Sequence, residues 1–210
     1  MTQHDRYLSA RVVPQYEIDT LGAPFRVTLH NCVTLGVDPS TGEEKVNVPD
    51  LVGLINAVVR ARVSHPWKLN GRELKFVRNA LGLKANLLAD FLEMSPEHLS
   101  RCEAGAKVMS TISERFFRLF AFMCTFFPDP EALLIRAMNG TEIEQKATKP
   151  NEMGKKFAEQ FLSMKIQSAY DADEELHFEF ARGQADPLDS YGPSEESSEW
   201  KNETREAACG

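Results

Sequence analysis

Residues 69–109, LNGRELKFVRNALGLKANLLADFLEMSPEHLSRCEAGAKVM, read as helix, helix, short turn, helix. Asn70 can cap the first helix, and Glu73, three residues on, completes a capping box. Gly82 ends that helix and suits a left-handed cap. The second helix spans about 85–92. Ser95 can cap the third, with Pro96 at the favoured first helical position, and Gly105 ends it. Phe76, Leu81, Leu83, Leu88, Ala89, Leu92, Met94 and Leu99 are spaced to point inward. Ala89 suits a steep crossing of two helices, where only a small side chain fits. Glu97, His98 and Arg101 are left facing outward on the third helix, the way a protein presents side chains to the major groove of DNA.

Each outward residue has a sharp reading and a plain one. Arg101 can bind guanine O6 and N7 as a bidentate pair; it can equally contact phosphate or carry a solvated charge. Glu97 can accept from cytosine N4, but it also sits in the first helical turn, where the helix dipole favours any acid. His98 can reach a base edge or a phosphate, or be a surface histidine. Ser95, Ser100, Lys84, Asn86, Lys107 and Ser110 are candidates for phosphate contact, against ordinary capping or solvation.

Beyond this unit, Thr111 and Glu114 suggest another capping box, opening a helix over about 112–126. Its apolar residues exceed one face. Ile112, Phe116, Leu119, Phe120, Met123 and Phe127 make one stripe, while Phe117, Phe122, Cys124 and Phe126 lie outside it. One face can close the central core; the other needs a second surface, either the N-terminal module or another subunit. Upstream, Arg11–Ile18 and Phe25–Val37 read as strands around the turn 21–24, and Lys45–Val48 as a third. A helix over 50–63 follows, with Leu51, Leu54, Ile55 and Val58 on one face, and His65-Pro66 closes it. Downstream come a helical stretch at Glu131–Met138, a linker containing Lys149-Pro150, and an amphipathic stretch, Glu152–Tyr170, using Met153, Phe157, Phe161 and Met164. Beyond Asp171 the chain is acidic and poor in branched apolars, hence mostly disordered. The exception is Leu176–Phe180, which alternates like a strand or a docking peptide. The expected fold class is α+β: a β-rich module (1–66), an all-α helix-turn-helix domain (67–140), a linker and helix (141–170), and a partly disordered acidic tail (171–210).

Net charge is −7 over 210 residues, which at first disfavours a nucleic-acid partner. Its distribution changes that. Residues 171–210 hold 12 acidic and 3 basic side chains, so the other 170 residues carry +2. The folded part is permissive for DNA, and the tail holds the acid. Cys32, Cys102, Cys124 and Cys209 have no paired spacing, which points to a reducing cytosol, with Cys102 and Cys124 as buried small apolar residues. No apolar run approaches the length of a membrane span, and the first residues lack the apolar stretch of a signal peptide. No nucleophile elbow, P-loop, HExxH or dinucleotide fingerprint is present, so no enzyme is expected.

Gly82–Leu92 follows the pattern GLTQxxLAxxL, Glu93-Met94-Ser95 stands at GVS, and Leu99–Gly105 follows (I/V)SRWENG. The segment thus resembles the Xre/Cro family of helix-turn-helix regulators, which includes the lambdoid phage repressors. The resemblance implies a lambda-repressor-like fold and an ion pair between Arg78 and Glu103 that fixes the first helix of the unit against the third. Ala85 replaces the family's phosphate-binding glutamine, a role Lys84 and Asn86 can take, and Cys102 replaces its tryptophan. The longer layout, about 8–127, resembles MqsA-like antitoxins through Leu69–Arg78. In that family the N-terminal domain binds zinc through paired cysteines; here Leu35 stands where the cysteine after Cys32 belongs. His30, Cys32 and His65 do not make a four-ligand site, so no zinc and no other cofactor is expected.

The expected function is a cytoplasmic transcriptional regulator that binds a palindromic operator in double-stranded DNA as a homodimer. The alternative is an antitoxin or antiactivator that grips a protein partner through the N-terminal module or the acidic tail. A third possibility is an adaptor that has lost DNA binding.

Overall fold

The computed structural model describes residues 8–140, 152–167, 175–182 and 199–204. Among them the fold is α+β: an N-terminal sheet followed by seven helices. The chain divides into two compact units, one within 1–57 and 175–210 and the other within 58–174. The sequence reading set its first and last boundaries at 66/67 and 170/171.

The first unit is built on β2 (Arg26–Val37), whose branched residues favour extended backbone. β1 (Leu8–Glu17) runs antiparallel along one edge of it. Pro14 in β1 has no N–H to give the ladder, and it lies opposite a bulge where Asn31 adopts φ +53°. The other edge of β2 is shared. β3 (Glu44–Asn47) pairs antiparallel with its end, and β4 (His177–Arg182) pairs parallel with its start. β5 (Trp200–Asn202) extends the sheet beyond β4.

β4 and β5 fall in the stretch 171–210; for Ala181, Arg182 and β5 the reading as disordered is corrected, whereas Leu176–Phe180 is the exception already set apart from it. Of the two alternatives for 176–180, the strand forms. The reason is its alternation: Phe178 and Phe180 point to one face beside Val27 and Leu29 and are all but fully buried. Phe178 also meets the Phe25 ring edge-on at 5.1 Å. Trp200 closes this core, its indole N–H donating to the Asp50 carbonyl at 3.1 Å. Of the expected linker, amphipathic stretch and tail, residues 141–151, 168–174, 183–198 and 205–210 lie outside the described residues.

α1 (Leu51–Ser64) starts where the Asp50 side chain accepts from the Gly53 N–H. Its expected apolar face is partly wrong. Leu54 and Val58 are buried, but Leu51 is exposed and Ile55 half-buried, and Ala57, Val59, Ala61 and Val63 are inside instead.

In the second unit, α2 (Gly71–Ala80), α3 (Ala85–Phe91) and α4 (Pro96–Glu103) bury Leu74, Phe76, Val77, Leu81, Leu83, Leu88, Ala89, Leu92, Leu99 and Cys102. Met94 is half-buried. α5 (Thr111–Cys124) buries Phe117, Phe120, Ala121 and Cys124. That is mainly the face the sequence reading left outside its stripe, and the stripe itself is mostly exposed. α6 (Pro130–Met138) buries Leu133 and Leu134. α7 (Glu152–Ser163) lays Phe157 flat on Phe122, with ring centroids 3.5 Å apart. It ends at Ser163, sooner than expected, and Met164 is buried just beyond it.

Candidate nucleic-acid interface

Two short helices and the turn between them set the candidate surface. α2 carries the expected capping box: Asn70 accepts from the Glu73 N–H at 3.0 Å, and Glu73 accepts from the Asn70 N–H at 2.8 Å. In the turn, Glu93 has φ +53°, a left-handed conformation that disfavours side chains. This is the position where the quoted pattern carries glycine. Ser95 caps α4 by accepting from the His98 N–H at 3.2 Å, and Pro96 takes the first turn. The Ser110 side chain caps α5 by accepting from the Ser113 N–H. The expected Thr111/Glu114 capping box therefore does not form, because Glu114 is buried elsewhere.

The inner face of α4 is locked. Leu99 and Cys102 are buried. Arg78 and Glu103 come together as a two-pronged pair, Nε–Oε1 2.6 Å and Nη2–Oε2 3.0 Å, each side chain about nine-tenths buried. Arg78 also donates to the Leu83 carbonyl at 2.9 Å and so spans α2, α4 and the start of α3. Gly71 brings α2 against the end of α4. A Cβ there would meet the Cys102 carbonyl and lie 2.6 Å from the Glu103 carbonyl oxygen and 2.7 Å from the Gly105 nitrogen. Gly71 lies within the Leu69–Arg78 stretch that carries the resemblance, but a glycine inside a first helical turn carries no signal of the backbone it meets.

The outer face is open. Arg101, Glu97, Ser95 and Ser100 are exposed and His98 is half-exposed. Among the described residues Arg101 has no ion-pair partner, and its carbonyl accepts from the Lys107 N–H at 3.1 Å. Lys107 and Asn86 are exposed as well. Glu97 is held below the usual carboxylate range by its own backbone N–H and by the Ser95 hydroxyl, so its charge already serves the helix start. Lys84 is exposed but engaged: its ammonium meets Glu131 of α6 at 2.8 Å, which raises its pKa.

A buried charge network lies behind this surface and was not legible in the sequence. Arg62 donates two hydrogen bonds to Glu73, at 2.9 and 2.8 Å, and further ones to the Trp67 and Lys68 carbonyls. Arg118 donates to Glu114 at 2.7 and 3.1 Å, to the Val63 carbonyl at 3.2 Å, and to the carbonyls of His65 and Trp67. Glu114 also takes the Leu69 N–H and the Lys68 ammonium, both at 2.8 Å. Arg62, Glu73, Glu114 and Arg118 are at most 1% exposed. Together they hold the connection from α1 to α2. Burial and the two guanidinium groups push the His65 ring down to about 4. Its Nδ1 accepts from the Trp67 N–H at 3.3 Å, as the neutral ring does.

Other chemistry-bearing residues are dispersed. On one sheet face Thr28 and His177 share a hydrogen bond at 2.8 Å, and Glu179 lies 3.4 Å from His30. Among the described residues no group of three or more His, Cys, Asp or Glu side chains is placed to hold a metal. Burial raises the Cys32 and Cys102 thiols and pushes Cys124 up to about 12. No helix among the described residues is long and apolar enough to cross a membrane. No protein-family model, curated protein or solved structure matches the chain.

Proposed function

We propose that this chain is a sequence-specific DNA-binding protein, a helix-turn-helix transcriptional regulator that seats α4 in the major groove and acts as a homodimer on a palindromic operator. The observation that carries the reading is the split character of α4. One face is clamped by Leu99, Cys102 and the Arg78–Glu103 pair, and the other offers Arg101, exposed and without an ion-pair partner among the described residues, with Ser100 and His98 beside it. A rigid helix with free polar tips is what base reading requires, because edge contacts discriminate only when their donors are held in place.

Within this reading Arg101 is the principal base contact, bidentate to guanine. Glu97 serves the helix start, and His98 flanks it. Ser95, Ser100, Asn86 and Lys107 anchor phosphates, and Lys84 exchanges its carboxylate partner for a phosphate. Half-sites lie about 34 Å apart, one turn of the duplex. Selection of bound sequences from random duplex DNA is expected to return a two-fold symmetric motif at that spacing. Arg101→Ala is expected to weaken specific binding by about 1–3 kcal/mol and to relax preference at one base pair of each half-site. Undiminished discrimination by that variant in a mobility-shift titration would remove Arg101 from the base-reading role.

A further inference from the structure

We propose that the outer face of α5 is where two copies of this chain meet. From residue 112 to residue 126 every exposed position is apolar: Ile112, Phe116, Leu119, Met123 and Phe126, from 37% to 82% exposed. Their spacing is four, three, four, three. The first four lie on α5 with the alternation of a helix seam packed against another helix, narrower than the broad stripe a helix lays on a core, and Phe126 continues the row two residues past the helix end. The opposite face is already spent on Phe117, Phe120, Ala121 and Cys124. Phe116 is held for the purpose, stacked on Phe91 with ring centroids 5.0 Å apart.

Three observations name a second copy as the occupant. First, the five side chains carry no charge and the Arg60 guanidinium, 5.5 Å over the Phe126 ring, stands at one end of the row, so a two-fold axis near Leu119 brings no like charges together at its centre, and an isologous contact needs a self-complementary surface. Second, at roughly 200 Å² per fully exposed side chain the five residues offer about 500 Å² per copy. Two copies then bury about 1,000 Å², where specific interfaces begin, before flanking residues such as Val108 are added. Third, the segments of this chain outside the described residues carry no apolar repeat to cover it. Residues 141–151 contain one large apolar side chain, Ile143, and residues 183–198 only Leu188 and Tyr191.

This inference rests on the homodimer part of the reading above and not on DNA, so the two fail separately. Leu119 is the central member of the five and lies nearest an axis through their middle. The test is sedimentation of the full chain and of Leu119→Glu and Leu119→Arg, alone and mixed, with circular dichroism melts to establish that each variant is folded. Wild type is expected at twice 23.6 kDa. Each variant alone is expected to dimerise at least about 100-fold more weakly, since like charges then face each other in a dry seam. The mixture is expected to recover the dimer as a Glu–Arg heterodimer. A wild-type monomer up to about 100 µM overturns the proposal. So does a dimer that neither variant weakens. Loss of duplex binding with the dimer intact counts against the DNA reading alone.

Discussion

At the scale of single residues, the turn between α3 and α4 shows how strain and pattern meet. Glu93 holds φ +53° with an exposed side chain that makes no hydrogen bond or ion pair among the described residues. Glu93→Gly is therefore expected to raise stability by about 1 kcal/mol, the left-handed penalty less glycine's greater unfolded entropy. A thermal melt with no rise would show that this conformation costs nothing here. His65 supplies the pH dependence. Its folded pKa is depressed from 6.5 to about 4, first by burial and then by Arg62 and Arg118. Between those values the unfolded chain binds a proton that the folded chain refuses, so stability falls as pH drops from about 6.5 to about 4. The ring is only half-buried, and solvent screening reduces the effect to on the order of 1–2 kcal/mol. In urea titrations across that range, His65→Gln is expected to flatten the fall; an unchanged slope would place its origin in other groups. The Arg78–Glu103 contact followed from spacing within a known pattern. The close approach at Gly71 did not, because nothing local to a glycine says which backbone lies above it.

At the scale of elements, boundaries were legible and faces less so. Asn70 and Gly82 punctuate α2, and Ser95 and Pro96 open α4, through local chemistry, which a sequence displays directly. α5 shows the opposite. Apolar residues occupy both its sides, so periodicity gave two stripes and no rule for which one turns inward. Two charged residues settle it: Glu114 and Arg118, one helical turn apart, are buried on the side of Phe117 and Ala121. Glu114, expected as half of a capping box, is interior together with Arg118, because the Val63, His65 and Trp67 carbonyls and the Arg62–Glu73 pair surround them. Removing the Glu114 carboxylate takes away the ion-pair partner of the buried Arg118 and the half-buried Lys68. Glu114→Ala is expected to cost about 3–5 kcal/mol in urea denaturation. A loss below about 1 kcal/mol, the worth of an exposed pair, would mean that water reaches the network.

At the scale of the whole molecule, the first unit is discontinuous in sequence. Phe178, Phe180 and Trp200 belong to the same buried core as Val27, Leu29 and Leu54. Alternation at 176–180 was visible in the sequence, but its partner strand was not, since pairing across some 150 residues leaves no local mark. A chain ending at residue 174 is expected to lose the fold of the first unit while keeping that of 58–174. Limited proteolysis would then cleave within 8–57 and spare the helical part. Equal resistance of both parts would show that β1, β2 and β3 stand without β4.

The parallel pairing of β2 with β4 also sets an order of events during synthesis. A ribosome completes residues 58–174 while the opening strands still lack their neighbour. The helical part can thus reach its native form on the nascent chain, whereas β2 must wait for codons translated some 150 residues after its own. Until then the edge of β2 at Arg26–His30 lacks its partner strand, and a message truncated in that interval yields a product with a sticky, unfinished edge, a natural substrate for quality-control proteases.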